Sequence, residues 1–289
     1  MALSKLSGDE QRIVFTQLCN VLDPRLAVAL SSINNELRTA TQEGRLQLMA
    51  DHEAAAALCL KVGSRSCKEL RERKIICWRA EAFVELALLG TLGPVLPALE
   101  ELTLIRPAAG PYGVQRLAER LGAGALPAVT MLDLYNTHVG DAGASALGAA
   151  LGRGALPRLK DLVLFNAAIG DAGLVALAPA LRRRPALEEL NLHQNPFGDE
   201  GLAALVTPPP PPAGAPPPPT GVLTKLKVLD LDSTQITDAG CATLAAALDS
   251  GAFPALMKLQ LKKTPASAAA RAAVRKALKR TASRAAMPS

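Results

Sequence analysis

Leu187-Glu-Glu-Leu-Asn-Leu192 is one of six versions of a single phrase: LEELTL from Leu99, VTMLDL from Val129, LKDLVL from Leu159, LEELNL from Leu187, LKVLDL from Leu226 and LMKLQL from Leu256. Each has apolar residues at its first, fourth and sixth places, and the starts lie 30, 30, 28, 39 and 30 residues apart. Alternation at the end of each phrase reads as a short strand whose fourth and sixth side chains point into a core and whose third, fifth and seventh point out of it. Repetition at this period reads as stacked units that bury each other's apolar faces. The expected fold is an α/β solenoid, with a curved parallel sheet on the concave face, helices on the convex face and a small helical region at the N-terminus.

The residues after each phrase are also periodic. A small or polar residue and then an apolar one follow, as Thr137 and Val139, Ala167 and Ile169, Asn195 and Phe197, Thr234 and Ile236. Next come GDAG from Gly140 and from Gly170, GDEG from Gly198 and TDAG from Thr237. Asp141, Asp171, Asp199 and Asp238 are expected to be helix N-caps that accept bonds from their own first-turn amides. Helical leucines follow at Leu147 and Leu151, Leu174, Leu177 and Leu181, Leu202 and Leu205, Leu244 and Leu248. Gly-Ala-Leu-Pro segments at Gly124 and Gly154 end two helices and lead into the next strands.

Over roughly residues 70 to 280 this pattern resembles the leucine-rich repeat family, in the long strand-loop-helix subtype of ribonuclease inhibitor. The resemblance implies an asparagine ladder in the loops, to which only Asn195 conforms; Thr137, Ala167 and Thr234 stand in its place elsewhere. Alanine has no side-chain donor or acceptor, so the loop at Ala167 is expected to be looser or water-bridged. Ran-type GTPase-activating proteins share the subtype and carry an acidic tail, whereas this chain ends in a basic one.

The repeats are assigned to 69–265. Residues 70 to 98 read as a degenerate first repeat in which Leu70 matches Leu99, Ile75 matches Leu104 and Arg73 falls on an apolar place, with Trp78 closing the strand and Ala80 to Leu89 forming a helix. Residues 1–68 read as a bundle of about three helices, the first stopped by Asp23-Pro24. Leu6, Glu10, Phe15, Leu22, Asp23 and Pro24 make this region resemble an F-box, with Ser7 where that family has proline. The resemblance implies adaptor binding through Leu6, Phe15, Leu22 and Pro24; the alternative is a cap on the solenoid. The 39-residue interval holds PPPPPAGAPPPP, from Pro208 to Pro219, within a loop assigned to 207–221 that projects from the repeats, either as a docking peptide or as a tolerated insertion. Residues 266–289 read as a capping helix and basic tail, with Ser267 at the helix start and Val274 and Leu278 facing the repeats.

The 32 basic and 26 acidic residues give a formal charge of +6, and the six basic residues after Thr264 (Arg271, Arg275, Lys276, Lys279, Arg280, Arg284), with no acid among them, account for it. The body is therefore neutral, and signals for nucleic acid or membrane are confined to the last helix. The five cysteines form no C-x-x-C pair, no signal-peptide core or 18-residue apolar run occurs, and no N-x-S/T sequon is present. An intracellular protein with reduced thiols is expected, cytoplasmic or nuclear. His52-Glu53 lacks the second histidine of a zinc-protease motif, Gly122-Ala123-Gly124 lies in a turn between repeats, and no phosphate loop occurs. No enzyme, cofactor, metal or small-molecule substrate is expected.

The outward places are more informative. Ile105, Tyr135, Phe165, His193, Asp232 and Lys262 occupy the seventh place; Thr103, Asp133, Val163, Asn191, Asp230 and Gln260 the fifth; Glu101, Met131, Asp161, Glu189, Val228 and Lys258 the third. Adjacent strands lie about 4.8 Å apart, so Ile105, Tyr135, Phe165 and His193 form an apolar-to-aromatic row. Asp133, Asp161, Glu189, Asn191, Asp230 and Asp232 surround it with acidic and polar groups. The chain has only one Trp, two Tyr and five Phe, and aromatic anchors in a polar rim are the composition of binding hot spots. The expected activity is noncatalytic binding of a protein or peptide, with a basic element, by a monomer.

Overall fold

The structure is a computed structural model describing residues 7–20, 23–33, 35–61, 74–79, 98–105, 112–207 and 223–285. The leucines of the phrase dictate its core. Leu102 and Leu104, Leu132 and Leu134, Leu162 and Leu164, Leu190 and Leu192, Leu229 and Leu231 are all buried. They stand on short parallel strands arranged in chain order: β1 (Ile75–Arg79), β2 (Glu101–Ile105), β3 (Met131–Asp133), β4 (Asp161–Val163), β5 (Glu189–Asn191), β6 (Val228–Asp230) and β7 (Lys258–Gln260). The helices between them bury the opposing leucines, among them Leu147, Leu174, Leu177, Leu202, Leu205, Leu244 and Leu248.

The register is strict from β2 onward: Glu101, Met131, Asp161, Glu189, Val228 and Lys258 lie side by side, as do Thr103, Asp133, Val163, Asn191, Asp230 and Gln260. At β1 the expected register is corrected by three residues. Ile75 pairs with Glu101, and Trp78 with Leu104. The first phrase therefore runs from Arg73, with Ile76 and Trp78 at its fourth and sixth places, and Ile75 at the outward third place is half exposed to solvent. An aromatic at the sixth place obscured the match. The helix expected over Ala80 to Leu89 and the match at Leu70 lie outside the described residues.

The repeat helices are numbered after the four of the N-terminal region: α5 (Gly113–Arg120), α6 (Gly140–Gly152), α7 (Asp171–Arg182), α8 (Asp199–Val206), α9 (Asp238–Asp249) and α10 (Ala268–Ala285). Of the two Gly-Ala steps expected to end helices, Gly154 does so, whereas Gly124 lies beyond the Leu121 cap of α5 and donates to Gly154 O at 3.1 Å; a third step, at Gly251, closes α9. After α6, Gly154 at φ +94° donates to Leu151 O and Ala155 donates to Ala150 O. Gly251 at φ +84° and Ala252 repeat this after α9, at Leu248 O and Ala247 O. This paired closure of the last carbonyls requires a left-handed residue, which glycine adopts without a Cβ penalty. At the other end of the solenoid α10 lies on α9, held by Arg280, whose Nε and Nη2 reach the two oxygens of Asp249 at 2.9 and 2.6 Å, and by Thr281 Oγ1 donating to Leu248 O.

The N-terminal region contains α1 (Gly8–Leu18), α2 (Arg25–Ser31), α3 (Asn35–Ala40) and α4 (Gln42–Lys61), four helices among the described residues where about three were expected. Ser7 caps α1 reciprocally: Glu10 N donates to Ser7 Oγ, and Ser7 N donates to Glu10 Oε2 at 2.8 Å. This capping box is the physical reason for a serine at that place. Helix α1 ends at Leu18, so Asp23-Pro24 does not stop it. Pro24 instead precedes the first turn of α2, where Asp23 pairs with Arg25 at 2.7 Å. Phe15 is buried, and α4 approaches it so closely that a Cβ on Gly44 would meet its ring at 3.1 Å. No described helix is long and apolar enough to cross a membrane.

Candidate functional site

The seventh-place residues follow the strand ends onto the concave face. Tyr135 and Phe165 stack with ring centroids 4.5 Å apart and planes 5° from parallel, and Phe165 meets His193 at 4.8 Å and 52°. These spacings match the distance between neighbouring strands, so parallel pairing itself holds the rings in contact. Tyr135 is 37% exposed, while Phe165, His193 and Ile105 are half-buried.

The fifth-place residues brace that row from below. Asp133 Oδ1 accepts from Tyr135 N, Asn191 Oδ1 from His193 N and Asp230 Oδ1 from Asp232 N, each at 3.0 Å. A side chain that accepts the amide two residues on fixes the backbone leaving the strand. Three of the residues expected to form a binding rim thus also hold the row in position. Val163 has no acceptor, and Phe165 lacks this brace.

Asp161 and Glu189 are different. They are register partners on adjacent strands, and no salt bridge reaches either among the described residues. The nearby lysines serve Glu188 instead, Lys227 at 2.5 Å and Lys160 at 3.9 Å. Burial, and then repulsion from Glu189 and Glu188, pushes the Asp161 pKa up; burial does the same to Asp133, opposed by its bond from Tyr135 N. At the far end of the row Asp230 and Asp232 are buried, each 8% exposed, with His193 Nδ1 3.8 Å from Asp230 Oδ2. Gln260 Nε2 donates to Asp230 Oδ2 at 2.6 Å, and Lys262 N to Asp232 Oδ1 at 2.5 Å.

A second acidic row runs along the helix N-termini and corrects the expected N-caps. The caps are Gly170, Gly198 and Thr237, and Val139 precedes α6. The aspartates lie inside their helices and reach across to the next repeat. Asp141 Oδ1 accepts from Gly170 N at 2.7 Å; Asp171 Oδ1 accepts from Gly198 N and Gly201 N at 2.9 and 2.7 Å. Asp199 accepts from Thr237 N and Oγ1, and Asp238 from Ser267 N. The second glycine of GDxG makes room for this. A Cβ on Gly173 would lie 2.5 Å from Asp141 Oδ1, and one on Gly201 2.9 Å from Asp171 Oδ1. That invariant glycine, which a helix interior disfavours, was the sequence signal for the cross-repeat ladder.

Arginines fasten the other ends of the helices. Arg184 is buried and donates to Leu151 O, Ala155 O and Leu156 O behind α6, and its burial lowers its pKa. Arg153 donates in the same way to Ala118 O and Leu121 O behind α5. The loop at Ala167 is not looser than its neighbours. Asn195 Oδ1 accepts from Ala167 N and Ile169 N at 3.1 and 3.0 Å, while its Nδ2 donates to Leu164 O and Leu192 O. The neighbouring repeat thus supplies what alanine lacks. In the last helix Arg271 donates to Ala266 O and Arg280 pairs with Asp249, leaving Arg275, Lys276 and Lys279 exposed.

Of the adaptor-binding candidates, Phe15 and Pro24 are buried, so neither offers a contact surface; Leu6 and Leu22 lie outside the described residues. So does the proline-rich run from Pro208 to Pro219.

The family model described as Leucine Rich repeat matches residues 156–178, 185–206 and 222–245. The fold is a leucine-rich-repeat solenoid. No curated protein matches the chain. Among solved structures, the chain is similar to leiomodin-1 actin-binding site 2, at 17% identity and a TM-score of 0.37, over 71% of this chain and 92% of that one. It is also similar to an internalin from Listeria monocytogenes, at 16% identity and a TM-score of 0.37, over 68% of this chain and 51% of that one.

Proposed function

We propose that this leucine-rich-repeat protein is a noncatalytic scaffold that binds a protein or peptide carrying a basic element on its concave face. The observation that supports this reading is the stacked Tyr135–Phe165 pair on the same concave face as Asp161 and Glu189, register partners that form no salt bridge among the described residues. A peptide with more than one basic residue lays an apolar stem or guanidinium plane on the rings and sets another charge against the carboxylates, combining cation–π attraction with a charge-assisted hydrogen bond. The helix edge offers no equivalent, because its aspartates are occupied by backbone amides of the next repeat. The test is capture of partners by the intact chain and by Tyr135→Ala with Phe165→Ala. Loss of capture with a cooperative melt within about 5 °C of the parent supports the concave row; capture that survives the double change rejects it.

A second reading, an F-box-like receptor whose N-terminal helices dock an adaptor, is favoured by one observation. Ile13, Leu26, Ile33 and Leu46 are 62%, 70%, 61% and 61% exposed in that region, an amount of apolar surface that solvated helices seldom present. Replacing all four by glutamine removes adaptor binding under this reading and leaves concave-face capture intact; a pull-down that recovers no adaptor with the unaltered chain rejects it.

A further inference from the structure

We infer that His193, Asp230 and Asp232 form a binding site for one divalent transition-metal ion of the zinc class. Donor atoms of the three residues all lie within 4.8 Å of one another. The set is assembled by the sheet. Asp230 ends β6 and Asp232 stands two residues on, in the turn that follows; His193 stands likewise two residues past the end of β5, where Gln194 N donates to Asp232 O at 2.9 Å and holds the two turns side by side.

Three features distinguish this set from an ordinary surface cluster. Both aspartates are buried, with 12% of the Asp230 side chain exposed, and neither pairs with a lysine or arginine side chain among the described residues. Two neighbouring carboxylates repel each other unless a cation joins them. Secondly, His193 Nδ1 and Asp230 Oδ2 are 3.8 Å apart, too far for a hydrogen bond yet close to the roughly 3.4 Å that separates two donors bound to one ion at bond lengths of about 2.1 Å. Thirdly, Asp232 Oδ1 accepts from Lys262 N and Asp230 Oδ1 from Asp232 N, bonds that orient both carboxylates, while Asp232 Oδ2 accepts no hydrogen bond from any described residue. Outer-shell bonds of this kind position metal ligands.

The donor set selects the ion. An imidazole nitrogen with two carboxylate oxygens suits zinc and its first-row neighbours, whereas calcium takes six to eight oxygens and magnesium keeps most of its water. Three protein ligands leave a fourth position for water or for a donor from a bound partner. Sequence spacing conceals the set, because His193 and Asp230 are separated by the proline-rich insertion.

The test is Zn2+ titration of the untagged full chain by calorimetry, repeated with Co2+ as a spectroscopic probe, for the parent, His193→Ala and Asp232→Asn. The asparagine retains an acceptor for Lys262 N, so this variant keeps the fold; a matching melting profile for it verifies that. The expected result is one saturable Zn2+ equivalent that weakens at least about 100-fold in each variant, with a Co2+ spectrum of nitrogen and oxygen ligation. The inference is overturned if the parent takes up no such equivalent, if both variants bind as the parent does, or if the Co2+ spectrum shows thiolate ligation.

Discussion

Two acidic rows repeat through this solenoid at nearly the same period, and they are chemically opposite. Along the helix N-termini, Asp141, Asp171, Asp199 and Asp238 each meet backbone amides of the following repeat. On the concave sheet, Asp161 and Glu189 meet each other. A carboxylate in the first row is an inter-repeat fastener near positive helix ends; one in the second faces another carboxylate and forms no salt bridge among the described residues. The presence of an acid at a repeated place therefore does not distinguish stability from binding. The identity of the group facing it across the next repeat does.

The contrast can be broken most forcefully where the fastener is tightest. In Gly240→Ala the new methyl collides with Asp199 Oδ1 and approaches Ile236, and overpacking of this kind should lower unfolding free energy by about 2 kcal/mol in a denaturant titration. Gly122→Ala, into open space, should change it little. Asp171→Ala leaves Gly198 N and Gly201 N without their acceptor and should cost about 2 kcal/mol by the same measurement. Asp171→Asn should recover part of that loss.

Variants of the concave row should do the reverse. Tyr135→Ala with Phe165→Ala forfeits a stacking energy of about 1 kcal/mol in addition to the apolar burial of the half-buried Phe165 ring, while removing partner capture. The smallest stability effect is expected at Asp161. Its folded pKa lies above the unfolded value, so the folded state holds the proton more tightly, and the stability this confers at low pH is lost as pH rises through the folded pKa. Asp161→Asn should thus match or slightly exceed the parent at neutral pH, by less than about 0.5 kcal/mol. Capture of a basic peptide should run the other way in the parent, weakening as pH falls through the same window. A variant that loses stability at neutral pH would place Asp161 with the fasteners.

Much of the scaffold was legible from residues alone. Leu190 and Leu192 are buried and Glu189 and Asn191 face outward because a strand alternates with period two, and any window of six residues displays that. The row of Tyr135, Phe165 and His193 follows from the same alternation applied to three repeats. The first repeat was harder: with Trp78 at its sixth place and Arg73 at its first, the leucine pattern points to a register three residues away from the one the sheet adopts. Asp133 shows a different limit. Its outward position is a matter of alternation, but its bond from Tyr135 N depends on how the chain turns after β3, which no spacing encodes.

The sequence by itself determined the period, the faces of β2 to β7 and the glycine that ends α6, because these depend on side chains within one turn or one strand. Only the tertiary structure decided which polar groups satisfy which. Asn195 serves the loop of the preceding repeat, Asp171 the helix of the following one, and His193 meets Asp230 across the proline-rich insertion. These partners lie about 30 residues or more apart in the chain, and a hydrogen bond or ion pair is set by a few ångströms in space, a distance that stacking of the repeats creates and local periodicity does not contain.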